Sequence, residues 1–437
     1  MNSGPKLRSL FQKNSIRMSN QPLFQLRKEV STHSSAGDTN TTQSFVEELQ
    51  SAGDSTVFQS RDQFTNEVVL TENEKYTVKR LAPSLSFLPL GDELDGLVDT
   101  YSGNALVNDK DNLYIWKYNS SQRQTAFARI PLHDEYISLS NTPKIVFTWP
   151  AANDDDGASK PSGVCIVNKK SGLVQFYEDI NTINNLSSLL SKSKVHELNL
   201  KLKDKEMVID VVNSEPSGIL VSTNFGRLLL ITIHDSMGKP CLQLKQQLIK
   251  SQVGFFHSVK PEKEIVSLRP GPILGKGERL LSLVTGGGDF QIWNLSAAAH
   301  SFKRISVNLH DQIVESLQDL YPFAHRSLHI LSSHPLPQEP AAHVILSSIN
   351  NSQETYYILS TVKFEERTNS FTIFSTYRLN TYTANAKEKP QLFIPSVFQE
   401  NVEIQPVVTS VYVLFNDAVV LTQVSSKLDH TYPLRRK

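Results

Sequence analysis

The chain holds 437 residues, 39% of them hydrophobic and 20% charged, enough apolar content to bury a core over most of its length. Its 44 Lys and Arg balance 44 Asp and Glu, which removes any bulk electrostatic case for nucleic-acid binding. Two cysteines, Cys165 and Cys241, cannot build a disulfide framework and suit a reducing compartment, and no apolar run reaches the length of a helical membrane span.

Residues 1–57 are rich in Ser, Thr, Gln and Asn without an apolar period, the composition of a disordered tail. Its first part carries Lys6, Arg8, Lys13, Arg17, Arg27 and Lys28 with no acid before Glu29, which also suits a mitochondrial transit peptide. A start at Met18 would remove most of that basic face.

Residues 58–437 read as one domain of short apolar runs separated by polar turns. ALVNDKDNLYIWKY (105–118), CIVNKKSGLVQFYE (165–178), LVSTNFGRLLLITI (220–233) and LVTGGGDFQIWNLS (283–296) align as strand, Asn/Asp/Gly turn and strand. Their second strands carry a large residue at matching places: Trp116, Tyr177, Ile231 and Trp293. HVILSSINNSQETYYILSTV (343–362) and VYVLFNDAVVLTQV (411–424) continue the series. A unit of several strands repeated at a step of about 55–65 residues is the signature of an all-β propeller with insertions in its blades. Trp116 and Trp293, at repeated positions, are expected to wedge between blades rather than stack on a ligand.

Two insertions read as helical. DQIVESLQDLYP (311–322) offers Asp311 as N-cap, Ile313, Leu317 and Leu320 at helical spacing, and Pro322 as a stop. NNLSSLLSKSKVHEL (184–198) is the other candidate.

The apparent chemical motifs fail on spacing. GPILGKG (271–277) puts three residues between its first two glycines where a phosphate loop needs four, and Gly277 follows Lys276 where Ser or Thr is required, so it reads as a turn. Gly286–Gly288 precede a strand, not a helix, and read as a hairpin turn. NDDDG (153–157) would place Ala152 and Gly163 at the first and last ligand positions of a calcium loop. The 12 histidines form no metal-binding spacing, and no nucleophile elbow occurs. No catalytic residue, cofactor or metal is expected.

One stretch remains, QLIKSQVGFFHSV (247–259). At about 100° per residue, Leu248, Ile249, Val253, Phe255, Phe256 and Val259 share one helical face of about 160°, whereas neither face of a strand is clean. Thirteen residues with a central glycine do not hold a helix alone in water. The segment needs a surface, either a blade of its own protein or a lipid headgroup layer.

Several long phrases then stand in order: LVDTYSGNALVNDKDNLYIWKYNS, YEDINTINNL, EPSGILVSTNFGRLLLITIHDSMGKP, VSLRPGPILGKGERL, ESLQDLYPFAHRSL, ETYYILST, FTIFSTYRLNT and NDAVVLTQVSSKLD. From about residue 20 to 437 the chain resembles the N-terminal propeller of the fungal nucleoporin 133 family. That resemblance implies a seven-bladed propeller, its last blade expected to be incomplete here. It also implies a non-enzymatic scaffold role at the nuclear pore, supporting mRNA export and protein transport. Partners would be other scaffold nucleoporins of the Y-shaped complex, engaged mainly through a helical domain outside this sequence, with no direct nucleic-acid binding. Just before the segment matching VSLRPGPILG the family carries an amphipathic lipid-packing sensor, so residues 247–260 would lie on curved nuclear-envelope membrane through the six apolar residues above. Lys250, His257 and Lys260 depart from the family's nearly uncharged polar face and allow attraction to anionic lipid. The family's start aligns with Met18, which weighs against a transit peptide. Two rival readings are a generic propeller gripping a peptide on its top face and a propeller hydrolase, the latter disfavoured by the missing acid/base clusters.

Overall fold

The computed structural model describes residues 68–72, 77–80, 95–99, 102–109, 112–118, 127–132, 142–149, 162–180, 195–235, 237–251, 260–337, 339–351, 354–386, 389–395 and 408–425. All belong to the second of two units, Glu67–Lys437, and the expected tail 1–57 lies outside them.

The described strands form seven antiparallel sheets that follow one another in chain order. Sheet 1 pairs β1 (Val68–Glu72) with β2 (Thr77–Arg80). Sheet 2 holds β3 (Asp95–Asp99), β4 (Asn104–Asn108), β5 (Asn112–Lys117) and β6 (Phe127–Pro131). Sheet 3 holds β7 (Lys144–Thr148), β8 (Gly163–Val167), β9 (Leu173–Tyr177) and β10 (Val195–Asn199). Sheet 4 holds β11 (Val208–Asn213), β12 (Ile219–Thr223), β13 (Leu228–His234) and β14 (Pro240–Ile249). Sheet 5 holds β15 (Ile265–Gly275), β16 (Glu278–Thr285), β17 (Asp289–Ser296) and β18 (Phe302–Asn308). Sheet 6 holds β19 (Leu328–Leu336), β20 (Glu339–Asn350), β21 (Thr355–Glu365) and β22 (Ser370–Arg378). Sheet 7 has three strands, β23 (Gln391–Phe393), β24 (Val408–Leu414) and β25 (Val419–Ser425).

Each four-stranded sheet is an up-and-down meander, and the first strands of sheets 3 to 7 lie side by side: β7 on β11, β11 on β15, β15 on β19, β19 on β23. This is the blade arrangement of a β-propeller. The six hairpins read from the sequence are the two middle strands of sheets 2 to 6 and the β24–β25 pair of sheet 7.

Middle strands are buried on both faces, because alternate side chains serve the sheets on either side. On β9, Phe176 joins the apolar layer toward sheet 4 while Tyr177 packs toward sheet 2. On β13, Leu230 faces sheet 5 and Ile231 faces sheet 3. Trp293 of β17 enters the layer with Leu220, Leu228 and Leu230 of sheet 4, whereas Ile292 packs toward sheet 6. The repeated large residues Tyr177, Ile231 and Trp293 therefore all point to the preceding sheet. Trp116 is buried too. Sheets 5 and 6 meet through Phe290 stacked on Phe364 at 3.9 Å between ring centroids, and sheets 6 and 7 through Tyr357 edge-on to Phe415 at 4.9 Å.

The helix expected at 311–322 is present as α1 (His310–Leu317), followed by a short α2 (Ala324–Ser327). Asp311 is not its N-cap: Leu309 occupies that position, and the Asn308 carboxamide oxygen accepts the His310 N–H at 2.9 Å. Ile313 and Leu317 are buried, but Leu320 is 74% exposed, because the chain leaves the helix in a turn whose Leu320 N–H returns to the Leu317 carbonyl. The other helical reading fails at its C-terminal end, where Val195–Leu198 pair with β9 as part of β10; residues 184–194 lie outside the described residues. GPILGKG is mostly strand, with its turn confined to Lys276 and Gly277. Among the described residues no helix is long and apolar enough to cross a membrane.

Emptying the Trp293 position removes the largest side chain of its layer. Trp293→Ala is expected to cost about 3–5 kcal/mol, read as a lower urea midpoint, while Leu320→Ala stays within about 0.5 kcal/mol of wild type.

Candidate functional site

The candidate loop begins at the end of β14. Leu248 and Ile249 sit on that strand, Ile249 opposite Leu228, and both pack against the layer between sheets 4 and 5. Residues 247–249 are thus strand rather than the start of a helix, and Leu248 and Ile249 serve the protein's own core. Their strand reading was hidden by bulges in the β13–β14 pairing, which break the simple alternation of faces. Val253, Phe255, Phe256 and Val259 lie outside the described residues.

The chain returns through Lys260 and a single 3-10 turn, Pro261–Lys263. That turn is clamped onto the glycine hairpin between β16 and β17. Gly286 N–H donates to the Glu264 carbonyl at 2.9 Å and Gly287 N–H to the Glu262 carbonyl at 2.8 Å. A Cβ on Gly286 would stand 2.4 Å from the Pro261 carbonyl oxygen, and one on Gly287 would stand 2.7 Å from Glu262. The glycines are there for this close backbone approach, beyond the hairpin role read from the sequence. Glu264 also pairs with Lys389 at 3.2 Å, just ahead of sheet 7. Both ends of the loop are therefore fixed at one end of the strands, beside the β12–β13 and β16–β17 turns.

Away from this end, in the strands and at their opposite turns, buried polar groups join neighbouring blades. The Glu215 carboxylate accepts the Trp149 N–H at 2.6 Å and the Asn213 amide at 2.9 Å, and the same amide reaches the Phe147 carbonyl at 2.8 Å. Arg279 of sheet 5 donates to the Glu215 carbonyl at 2.8 Å. Arg269 of β15 spans two further sheets, donating to the Ser333 carbonyl at 3.1 Å and the Leu392 carbonyl at 2.9 Å. These charges carry structure: their donors and acceptors are taken up by backbone and side chains of adjoining blades.

The remaining reactive groups are set against chemistry. Burial, with Glu215 nearby, pushes the Cys165 thiol up to about 12, so no thiolate forms near neutral pH. Burial and then Arg269 lower His334 to about 4, and burial with His334 lowers His343 to about 3, leaving both neutral. Among the described residues no group of three His, Cys, Asp or Glu side chains is placed to hold a metal.

The family described as Nup133 N terminal like matches residues 71–437. The chain belongs to that family. Within it, the chain is 44% identical to nucleoporin NUP133 of Saccharomyces cerevisiae over 393 residues, covering 86% of this chain and 34% of that protein. It is 23% identical to nucleoporin nup132 of Schizosaccharomyces pombe over 354 residues, covering 76% of this chain and 28% of that one. The crystal structure of the Vanderwaltozyma polyspora Nup133 β-propeller domain superposes with a TM-score of 0.71 at 48% identity, covering 84% of this chain and 90% of that one. The chain spans about a third of the length of the NUP133 relative. The Nup133 N-terminal family is structural and non-enzymatic, and its nucleoporin members place the chain at the nuclear pore complex of the nuclear envelope.

His343 gives this fold an acid-sensitive point. Its folded pKa, about 3, lies below the ordinary 6.5, so the unfolded chain takes up the proton first as pH falls. Its contribution to stability is whole above about pH 6.5 and is lost toward about pH 3. His343→Leu, measured by thermal melting, is expected to lose less stability than wild type between about pH 7 and about pH 4; equal losses would deny His343 that role.

Proposed function

We propose that this propeller is the membrane-facing part of a scaffold nucleoporin of the Y-shaped complex, supporting mRNA export and protein transport. Residues 252–259 would rest on the curved nuclear-envelope membrane. The observation that carries this reading is the mooring of the loop. Its two ends are pinned by β14 pairing and by the Gly286–Gly287 clamp, at one end of the blades. Between the anchors the sequence places Val253, Phe255, Phe256 and Val259.

With Leu248 and Ile249 committed to the core, four apolar residues remain for the bilayer. Fully buried, each supplies about 1.5–3 kcal/mol before the cost of ordering the segment, enough for reversible adsorption and too little for permanent anchoring. A weak contact of this kind suits a scaffold that touches the envelope at many copies at once. Partners within the scaffold would be other nucleoporins of that complex.

Flotation with small and large phosphatidylcholine vesicles tests the reading. Wild type is expected to float mainly with the small vesicles, whose curvature opens packing defects, and Phe255→Asp/Phe256→Asp to remain unbound. Equal recovery of both proteins with both vesicle sizes would end the membrane assignment and leave a peptide-binding propeller.

A further inference from the structure

Beside the loop, two consecutive connections crowd lysines onto the same end of the blades. The β8–β9 turn holds Lys169 and Lys170, and the segment from β10 to β11 holds Lys201, Lys203 and Lys205. The pieces are bonded together: Val208 N–H donates to the Lys169 carbonyl at 2.9 Å, and the Asn224 amide of the β12–β13 turn reaches the Lys205 carbonyl at 3.0 Å. Over residues 168–172 and 200–209 the only acids are Asp204 and Glu206, and Glu206 is buried against Arg227 at 2.8 Å. None of Lys170, Lys201, Lys203 and Lys205 pairs with an acid among the described residues.

This is a built surface rather than a loose run of charge. Lys201 and Lys205 take left-handed backbone conformations, φ 51° and 61°, which L side chains rarely adopt. The Asn199 side chain fixes the first by accepting the Lys201 N–H at 2.7 Å. Buried Glu206 fixes the centre, accepting the Lys203 N–H at 2.9 Å, the Thr223 hydroxyl at 2.8 Å and the Arg227 guanidinium. The hub holds the backbone, and Lys170, Lys201, Lys203 and Lys205 are exposed. Among them Met207 is 38% exposed and Ile209 41%, an apolar element inside a basic field. Basic groups around apolar ones at a shared level suit the headgroup region of a bilayer.

We propose that these two connections form a platform for an anionic lipid surface, acting beside residues 252–259. The inference deepens the membrane reading above and rests on it for orientation. β14 ends where the β12–β13 turn closes, Ile249 opposite Leu228, so the loop's root and the lysines occupy the same end of sheet 4. Lysines near an anionic bilayer gain about fivefold each in partitioning, and the gain is screened by salt.

The test uses the full chain with phosphatidylcholine vesicles made with and without phosphatidylserine. Lys170→Gln/Lys203→Gln leaves the hub intact, because Lys203 meets Glu206 through its backbone. It is expected to weaken binding to phosphatidylserine vesicles by about 25-fold and to leave binding to neutral vesicles unaffected. Lys276→Gln, in the β15–β16 turn at the other end of the strands, is expected to bind as wild type. Wild-type binding by the double variant, or equal loss on both vesicle types, overturns the proposal. Capture of a short DNA duplex with no preference for phosphatidylserine vesicles also overturns it and assigns the patch to nucleic acid. A loss of that size that persists when Phe255→Asp/Phe256→Asp binds like wild type upholds the platform while removing the loop.

Discussion

Everything in this protein depends on middle strands that must satisfy two neighbours at once. Leu230 and Ile231 are adjacent in sequence and serve opposite layers, one toward sheet 5 and one toward sheet 3. A residue slip on β13 would exchange the two and empty both layers. Because the same demand falls on β5, β9, β17 and β21, the register of each blade is tied to the next. Arg269 and Glu215 add polar ties across the same seams, where every lost partner would leave a buried charge.

Function follows from where those fixed strands end. Rigid blades fix the turns, and at one end the turns of sheets 3, 4 and 5 stand together with the connections between them. The Gly286–Gly287 clamp holds one root of the loop by backbone bonds alone, and β14 holds the other. Glu206 holds the lysine-bearing connection through its buried carboxylate. The blades thus supply position, and the loops are the part left to meet whatever lies beyond that end.

The middle hairpins were legible because both of their strands are apolar and the turns between them use Asn, Asp and Gly. Outer strands were not. β14 reads PCLQLKQQLI, half polar, and its bulges put Leu248 and Ile249 out of simple alternation, so a helical wheel sorted them better than a strand did. The end of the helical reading at 184–198 failed similarly, since VHELN in β10 covers one edge of a sheet and shows little apolar pattern. Leu320 fitted the helical spacing but fell beyond the last turn of α1. The clamp on Gly286 and Gly287 and the bond from the Val208 N–H to the Lys169 carbonyl were beyond any one-dimensional reading, because each joins segments from different connections. Family resemblance found the loop's place in the fold; only the strand pairing shows which of its apolar residues are already spent on the core.

Hydrogen exchange of the full chain with and without small anionic vesicles is the most direct measurement of the central claim, that one end of the blades faces the envelope. Slower exchange is expected in peptides covering 252–259 and the connections at 168–172 and 200–207, with the turns at 235–239 and 276–277, at the other strand ends, unchanged. Protection centred on those opposite turns, or none at all on vesicle-bound protein, would contradict the account.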